Sequence, residues 1–260
     1  MNKPRPVLCY CSLAFRDQPI EEIIPRLADI GYDGVEIFAQ HINGKTDAEL
    51  DAIRRLAESK KLRIEVVSPY FWLTRDLPDL VKESIESAAR FAGYARRLGA
   101  KRIRTFVDAG NDGIGSAVAT PEQWQRAVTN LKKITSLAPD ILFVVETHAH
   151  TLADTPVSTR RLFDLVQAAN LKVLYQADGV SDPLIGYRLL KPDIQHFHLQ
   201  HPYGPEKTGY LNDGSEYLTP LFAEVLRDGY SGTMSVEHCW KGPTWDHAAA
   251  DRAWLKQRGI

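Results

Sequence analysis

The sequence predicts an α/β fold in which eight parallel strands, each followed by a helix, close into a (β/α)8 barrel covering residues 1–260 as one domain. Short apolar runs alternate with longer amphipathic ones from end to end, and eight such units in series require parallel strands joined by right-handed crossovers. The 260 residues also sit near the roughly 250 typical of the closed barrel. An open doubly wound sheet would place a glycine-rich phosphate loop after its first strand, and SLAFRDQPI (12–20) has no such pattern.

The expected strands are VLCYCS (7–12), GVEIF (34–38), RIEVVS (63–68), RIRTFV (102–107), ILFVVE (141–146), KVLYQA (172–177), IQHFHL (194–199) and TMSVE (233–237), with helical patterns between them. PIEEIIPRLADIG (19–31) aligns Ile20, Ile23, Ile24 and Leu27 on one face and offers Gly31 as a stop. A longer helix over about 79–98 repeats Leu80, Val81, Ile85, Ala88, Phe91 and Ala92 at helical spacing before Gly99. Thr120, Pro121 and Glu122 form an N-cap, a first helical position and an acidic first turn. Further helices are expected near 156–169, 182–191, 216–228 and 245–257.

Bulk properties narrow the function classes. A hydrophobic content of 44% is enough for a substantial core, and a formal net charge of −1 gives no overall positive field toward nucleic acid or anionic lipid. A small-molecule substrate is therefore expected, with no nucleic acid and no membrane as partner. No stretch reaches the roughly 18 unbroken apolar residues of a spanning helix. The N-terminal MNKPRPVLCYCSLAF is interrupted by Tyr10, Cys11 and Ser12 without a cleavage signal, so a cytoplasmic protein is expected. Three cysteines, Cys9, Cys11 and Cys239, do not make a disulfide framework, and Cys9 and Cys11, alternating on one strand, read as small core residues rather than metal contacts. Trp240, Trp245 and Trp254 leave a homo-oligomer open, with packing of the last helix as the plainer explanation.

In such a barrel, polar residues at the C-terminal ends of strands and on inward positions are the active-site candidates. FVVETHAH (143–150) turns Phe143 and Val145 one way and Val144, Glu146 and His148 the other. By the same parity, Gln176 and Asp178 leave the sixth strand on one face, and His196, His198 and Gln200 line the inner face of the seventh. Glu237 ends the eighth opposite Val236. Three carboxylates and an imidazole converging on one mouth would repel or protonate unless a cation joined them. This donor set suits a divalent metal ion, Mn²⁺ or Mg²⁺ first and Co²⁺ or Zn²⁺ next. His198 is the expected imidazole ligand, His148 a substrate contact and His196 an orienting residue behind a ligand. Glu36, Glu65 and Arg104 read as an ion pair inside the barrel, with Arg104 alternatively holding a substrate oxygen. Asp108 and Asn111 either line the rim or make turns.

These segments resemble the sugar phosphate isomerase/epimerase superfamily, the xylose isomerase-like TIM barrels, over nearly the whole chain. GYDGVEI (31–37) and LGAKRIRTF (98–106) are similar to the family's entries to its second and fourth strands. VVETHAHTLADT (144–155), HFHLQ (196–200) and LNDGSEYLTPLFAEVLRDGYSGTMSVEH (211–238) are similar to its fifth-strand motif, seventh-strand His and closing unit. The resemblance implies a metal site at Glu146, Asp178, His198 and Glu237, the four positions that strand parity also selects. Two positions depart from the common pattern: Ser181 stands where many members have His, and Gln200 with His201 stand where many have Lys-Asp.

The resemblance implies metal-dependent proton transfer next to a carbonyl, with Glu146 and Glu237 as the catalytic pair and an enediolate between them. Return of the proton gives sugar or sugar phosphate isomerisation or epimerisation, the first expectation. Expulsion of a β-hydroxyl instead gives dehydration of a cyclic polyol ketone such as inosose or dehydroshikimate, the alternative. His148, Gln200, Arg104 and Trp72 are the expected substrate contacts, Trp72 or Phe71 covering an apolar ring face. An abasic-site endonuclease would want more metal histidines and a basic surface, which Ser181 and the net charge of −1 oppose. A non-catalytic carbohydrate-binding barrel is the remaining class.

Overall fold

The computed structural model describes residues 5–108, 114–177, 182–201, 208–240 and 242–260. The strands are β1 (Val7–Cys11), β2 (Gly34–Phe38), β3 (Arg63–Ser68), β4 (Arg102–Thr105), β5 (Leu142–Glu146), β6 (Leu171–Ala177), β7 (Ile194–Leu199) and β8 (Thr233–Val236). Each pairs in parallel with its successor, and β1 pairs with β8, so the sheet closes into the expected (β/α)8 barrel. Around it run α1 (Ile20–Ile30), α2 (Asp47–Ser59), α3 (Pro78–Leu98), α4 (Pro121–Leu137), α5 (Pro156–Val166), α6 (Pro183–Leu190), α7 (Ser215–Arg227) and α8 (Trp245–Lys256).

The helix signals act where the sequence places them. Gly31 and Gly99 stop α1 and α3 at φ 96° and 80°, a left-handed conformation that costs a Cβ-bearing residue. Thr120 caps α4 by accepting from the Gln123 amide, and Gln123 returns the bond to the Thr120 amide at 2.8 Å. The apolar faces of these helices cover the outward strand residues: Ile23, Ile24 and Leu27 of α1 belong to one buried cluster with Phe143, Val145, Phe197 and Leu199.

Strand ends differ from expectation at the mouth. β4 stops at Thr105 and β8 at Val236, so Phe106 and Glu237 lie just beyond their ladders. Glu237 is still tethered, because its amide donates to the Leu199 carbonyl at 3.0 Å. Two bulges reset side-chain phase. Glu65 of β3 is skipped in the pairing with β2, and Gln195 of β7 is skipped in the pairing with β6. Beyond the second, regular alternation keeps His196 and His198 on one face while Phe197 packs outward against Tyr175, Tyr187 and Tyr230.

Trp245 stacks on Phe15 at 3.8 Å and Trp254 packs edge-on against Phe222, so both are used by packing within the chain. Cys9 and Cys11 are buried and Cys239 is exposed, all three as free thiols. Among the described residues no helix is long and apolar enough to cross a membrane.

Candidate active site and metal centre

At the C-terminal mouth of the barrel, β5, β7 and β8 bring Glu146, His198 and Glu237 together. His198 Nδ1 lies 3.3 Å from Glu146 Oε1 and 3.2 Å from Glu237 Oε2, and all three side chains are buried. One donor atom from each lies within 4.8 Å of the others, close enough to share an ion. Two carboxylates with one imidazole form a hard, oxygen-rich set of the kind that Mn²⁺, Mg²⁺, Co²⁺ or Zn²⁺ accepts. The residues present therefore fit a divalent metal. Asp178, the fourth expected ligand, lies outside the described residues, as do Asn111 and Ser181.

Arg104 closes the other side of this cluster. Its Nη1 donates to Glu146 Oε2 at 3.2 Å and lies 3.9 Å from Glu237 Oε1. The guanidinium packs against both Tyr70 and Phe106, with Cζ 4.6 and 4.7 Å from their ring centroids, and the two rings stack on each other. Its Nε and Nη2 are buried with no hydrogen-bond partner among the described residues. Phe106 also meets the edge of the His148 ring at 5.1 Å. Tyr70, Phe106 and His148 thus form an aromatic wall beside the carboxylates.

Charges in the site hold one another. Burial alone would raise the Glu146 carboxyl, but the charges of His198 and Arg104 and a hydrogen bond from His198 keep it below the usual carboxylate value. Burial alone would lower His198, yet Glu237, Glu36 and Glu146 together push it well above the usual imidazole value. Burial lowers His196 despite its hydrogen bond to Glu36.

The other expected residues are distributed around the mouth. His148 is half-buried, with Nδ1 2.7 Å from the Ala149 carbonyl. Gln200 is buried, its Nε2 donating to Cys239 Sγ at 2.9 Å and its Oε1 3.5 Å from Gln176 Nε2. His196 sits one step deeper, 3.0 Å from Glu36. Trp72 is half-buried; among the described residues its amide donates to Ser84 Oγ, and no hydrogen bond or ring contact joins its side chain to the cluster. Phe71 is fully buried and belongs to the hydrophobic core cluster. His238 is buried against Asp251 at 2.8 Å, and His150 is exposed.

The ion pair expected among Glu36, Glu65 and Arg104 does not form. Arg104 pairs with Glu146, Glu65 pairs with Arg102 at 3.0 Å, and Glu36 pairs with the two inward histidines. The bulge at Glu65 separates it in register from Glu36, which explains the partition. Asp108 is neither a simple turn residue nor a rim residue: it is buried at φ 76° and accepts from the Leu73 and Thr74 amides at 3.0 and 2.9 Å. It thereby clamps the segment that follows Tyr70. Tyr70 and Phe106 were open to the parity rule, standing two residues beyond Ser68 and Arg104 on the same faces.

Similarity to known proteins agrees with this geometry. The family model for xylose isomerase-like TIM barrels matches residues 24–258. A 3-dehydroshikimate dehydratase of Bacillus anthracis is 29% identical over 235 residues, 83% of this chain and 82% of that protein. The crystal structure of a probable 3-DHS dehydratase involved in petrobactin synthesis in Bacillus anthracis superposes with a TM-score of 0.81 at 25% identity, covering 96% of this chain and 98% of the other. A 3-keto-D-glucoside 4-epimerase from E. coli shares the fold, with a TM-score of 0.77 at 14% identity over 97% of this chain and 100% of the other. The chain belongs to the xylose isomerase-like TIM barrel family.

Proposed function

We propose that the chain is a divalent-metal-dependent lyase that dehydrates a carboxylated cyclic hydroxy ketone of the 3-dehydroshikimate class, using a site able to take a proton from the carbon beside a carbonyl. The observation that carries the reading is Arg104. It is a buried guanidinium packed against two stacked rings, its Nη1 on Glu146 and its Nε and Nη2 without a hydrogen-bond partner among the described residues. A substrate carboxylate would satisfy those donors, and a planar fork is suited to a carboxylate. The 29% identity to a 3-dehydroshikimate dehydratase supports the same choice.

The ion held by Glu146, His198 and Glu237 would supply Lewis-acid polarisation of the ketone oxygen. Glu146 or Glu237 then takes the α-proton, and the C–H electron pair enters the carbonyl to give an enolate. Its return expels the β-hydroxyl, which leaves as water on receiving a proton from the opposite carboxyl group or from His148. One C–H and one C–O bond break, one C=C bond forms, and no redox partner is needed.

Ketose isomerisation or epimerisation is the second reading. The facing carboxylates favour it: Glu146 and Glu237 approach the same imidazole nitrogen from different strands, so one can remove a proton and the other return it. The two readings separate by mass. The protein loaded with Mn²⁺ is incubated in D₂O with 3-dehydroshikimate, ketoses, ketose phosphates and cyclic polyol ketones. Loss of water from 3-dehydroshikimate is the expected result. Gain of one deuterium by a ketose, with its formula otherwise kept, would replace the lyase with the isomerase. No change with metal bound would point to a carbohydrate-binding barrel.

A further inference from the structure

What holds His198 lies one layer below the mouth. Glu36 of β2 is completely buried, and its two oxygens lie 3.0 and 3.1 Å from His198 Nε2. The same carboxylate meets His196 Nε2 at 3.0 Å and accepts from the Ser68 hydroxyl. His196 Nδ1 in turn meets the Thr233 hydroxyl. A carboxylate between two imidazole N–H groups and one O–H has its acceptor capacity largely used. Glu36 is therefore built as a hydrogen-bond hub, although Glu36, His196 and His198 are close enough to be considered as metal ligands themselves.

The two nitrogens of His198 face different chemistry. Nε2 faces Glu36, and Nδ1 faces Glu146 and Glu237. We propose that Glu36 is a positioning residue that keeps the His198 proton on Nε2 and so presents the Nδ1 lone pair to the cation at the mouth. The inference rests on the metal-site reading above and adds to it the ligating atom and the residue that selects it. A carboxylate behind a ligating imidazole fixes the ring, fixes the tautomer and raises the basicity of the ligating nitrogen. The bulge opposite β2 serves this arrangement: skipping Glu65 leaves Glu36 in register with Val66 and two residues from Ser68, its hydroxyl partner across the β2–β3 ladder.

The test uses Zn²⁺ as the probe and the full chain labelled with ¹⁵N-histidine. Long-range ¹H–¹⁵N correlation should show His198 metallated at Nδ1 and protonated at Nε2 in the loaded protein. Competition with a chelator should show Glu36→Gln binding Zn²⁺ roughly 10–100-fold more weakly than the parent. Metal on Nε2 of His198, or on His196 and His198 together, would overturn the inference without any variant having to fold. A folded Glu36→Gln protein of unchanged affinity would also overturn it, while leaving the Glu146 and Glu237 site standing. A parent protein that binds no Zn²⁺ would overturn both.

Discussion

Arg102 and Arg104 stand two residues apart on β4 and share a face, yet they live in different electrostatic worlds. Arg102, in the lower layer, donates to Glu65 at 3.0 Å, and Arg63 lies 3.4 Å from the other oxygen of the same carboxylate. Arg104, in the upper layer, faces Glu146 at 3.2 Å and Glu237 at 3.9 Å, with Glu36 beyond them. The lower carboxylate is thus fully answered by cations and explains itself as structure. The upper layer gathers three buried carboxylates around one guanidinium and two imidazoles, an excess that folding alone has no reason to create. Unbalanced buried charge at the mouth, rather than buried charge as such, is what marks the site.

The contrast is broken most severely from the upper layer. Glu146→Gln or Glu237→Gln should lower turnover by roughly 10²–10⁴-fold, the range for loss of a positioned acid or base, with circular dichroism unchanged. Full activity in either variant would remove that residue from the chemistry. Arg104→Met removes one of the two cations that hold buried Glu146 and should destabilise the metal-free protein by up to about 3–5 kcal/mol in denaturant titration. Mn²⁺ should narrow that gap, because a bound cation takes over part of the lost charge.

The lower layer should respond more mildly. Glu65→Gln should cost about 1.5–3 kcal/mol, the range for a hydrogen bond to a charged group, and leave metal affinity as it is. A large loss of metal affinity in this variant would show that the layers are coupled.

The pH dependence of stability carries both signs. Although burial alone would raise Glu36, the charge of His198 and hydrogen bonds from His196 and His198 hold its carboxyl well below 4.5. That contribution is present above pH 4.5 and is lost as pH falls through the depressed value. His198 is held well above 6.5, burial notwithstanding, by Glu237, Glu36 and Glu146, so its contribution is present below pH 6.5 and is lost as pH rises through the raised value. The Tm of metal-free protein should therefore be highest between about pH 4.5 and 6.5, and saturating Mn²⁺ should extend the plateau upward by replacing a proton on His198. A metal-free Tm that rises steadily above pH 7 would contradict the raised His198. The smallest effect is expected at exposed His150: His150→Ala should change stability by no more than about 0.5 kcal/mol and activity by little.

The architecture was legible because each strand is an apolar run with a helix signal behind it; β2, β3 and β7 carry the bounds that the sequence suggests. Glu146, His196, His198 and Glu237 were legible through parity, since outward Phe143, Val145, Phe197 and Leu199 leave the polar residues only the other face. The partners of Glu36 were not legible. Choosing between Arg104 and the histidines depends on strand register, which the bulge at Glu65 resets and no single-strand pattern encodes. Tyr70 lies past the last residue of β3, and Phe106, although within the expected fourth strand at 102–107, is an apolar residue that reads as core rather than as site.

The most direct measurement is anomalous diffraction from crystals of the full chain soaked in Mn²⁺. The metal-site reading predicts one strong peak within about 2.0–2.6 Å of a Glu146 oxygen, a Glu237 oxygen and His198 Nδ1. A peak seated instead on Glu36 and His196, or no peak at the mouth with Mn²⁺ bound elsewhere, would contradict it.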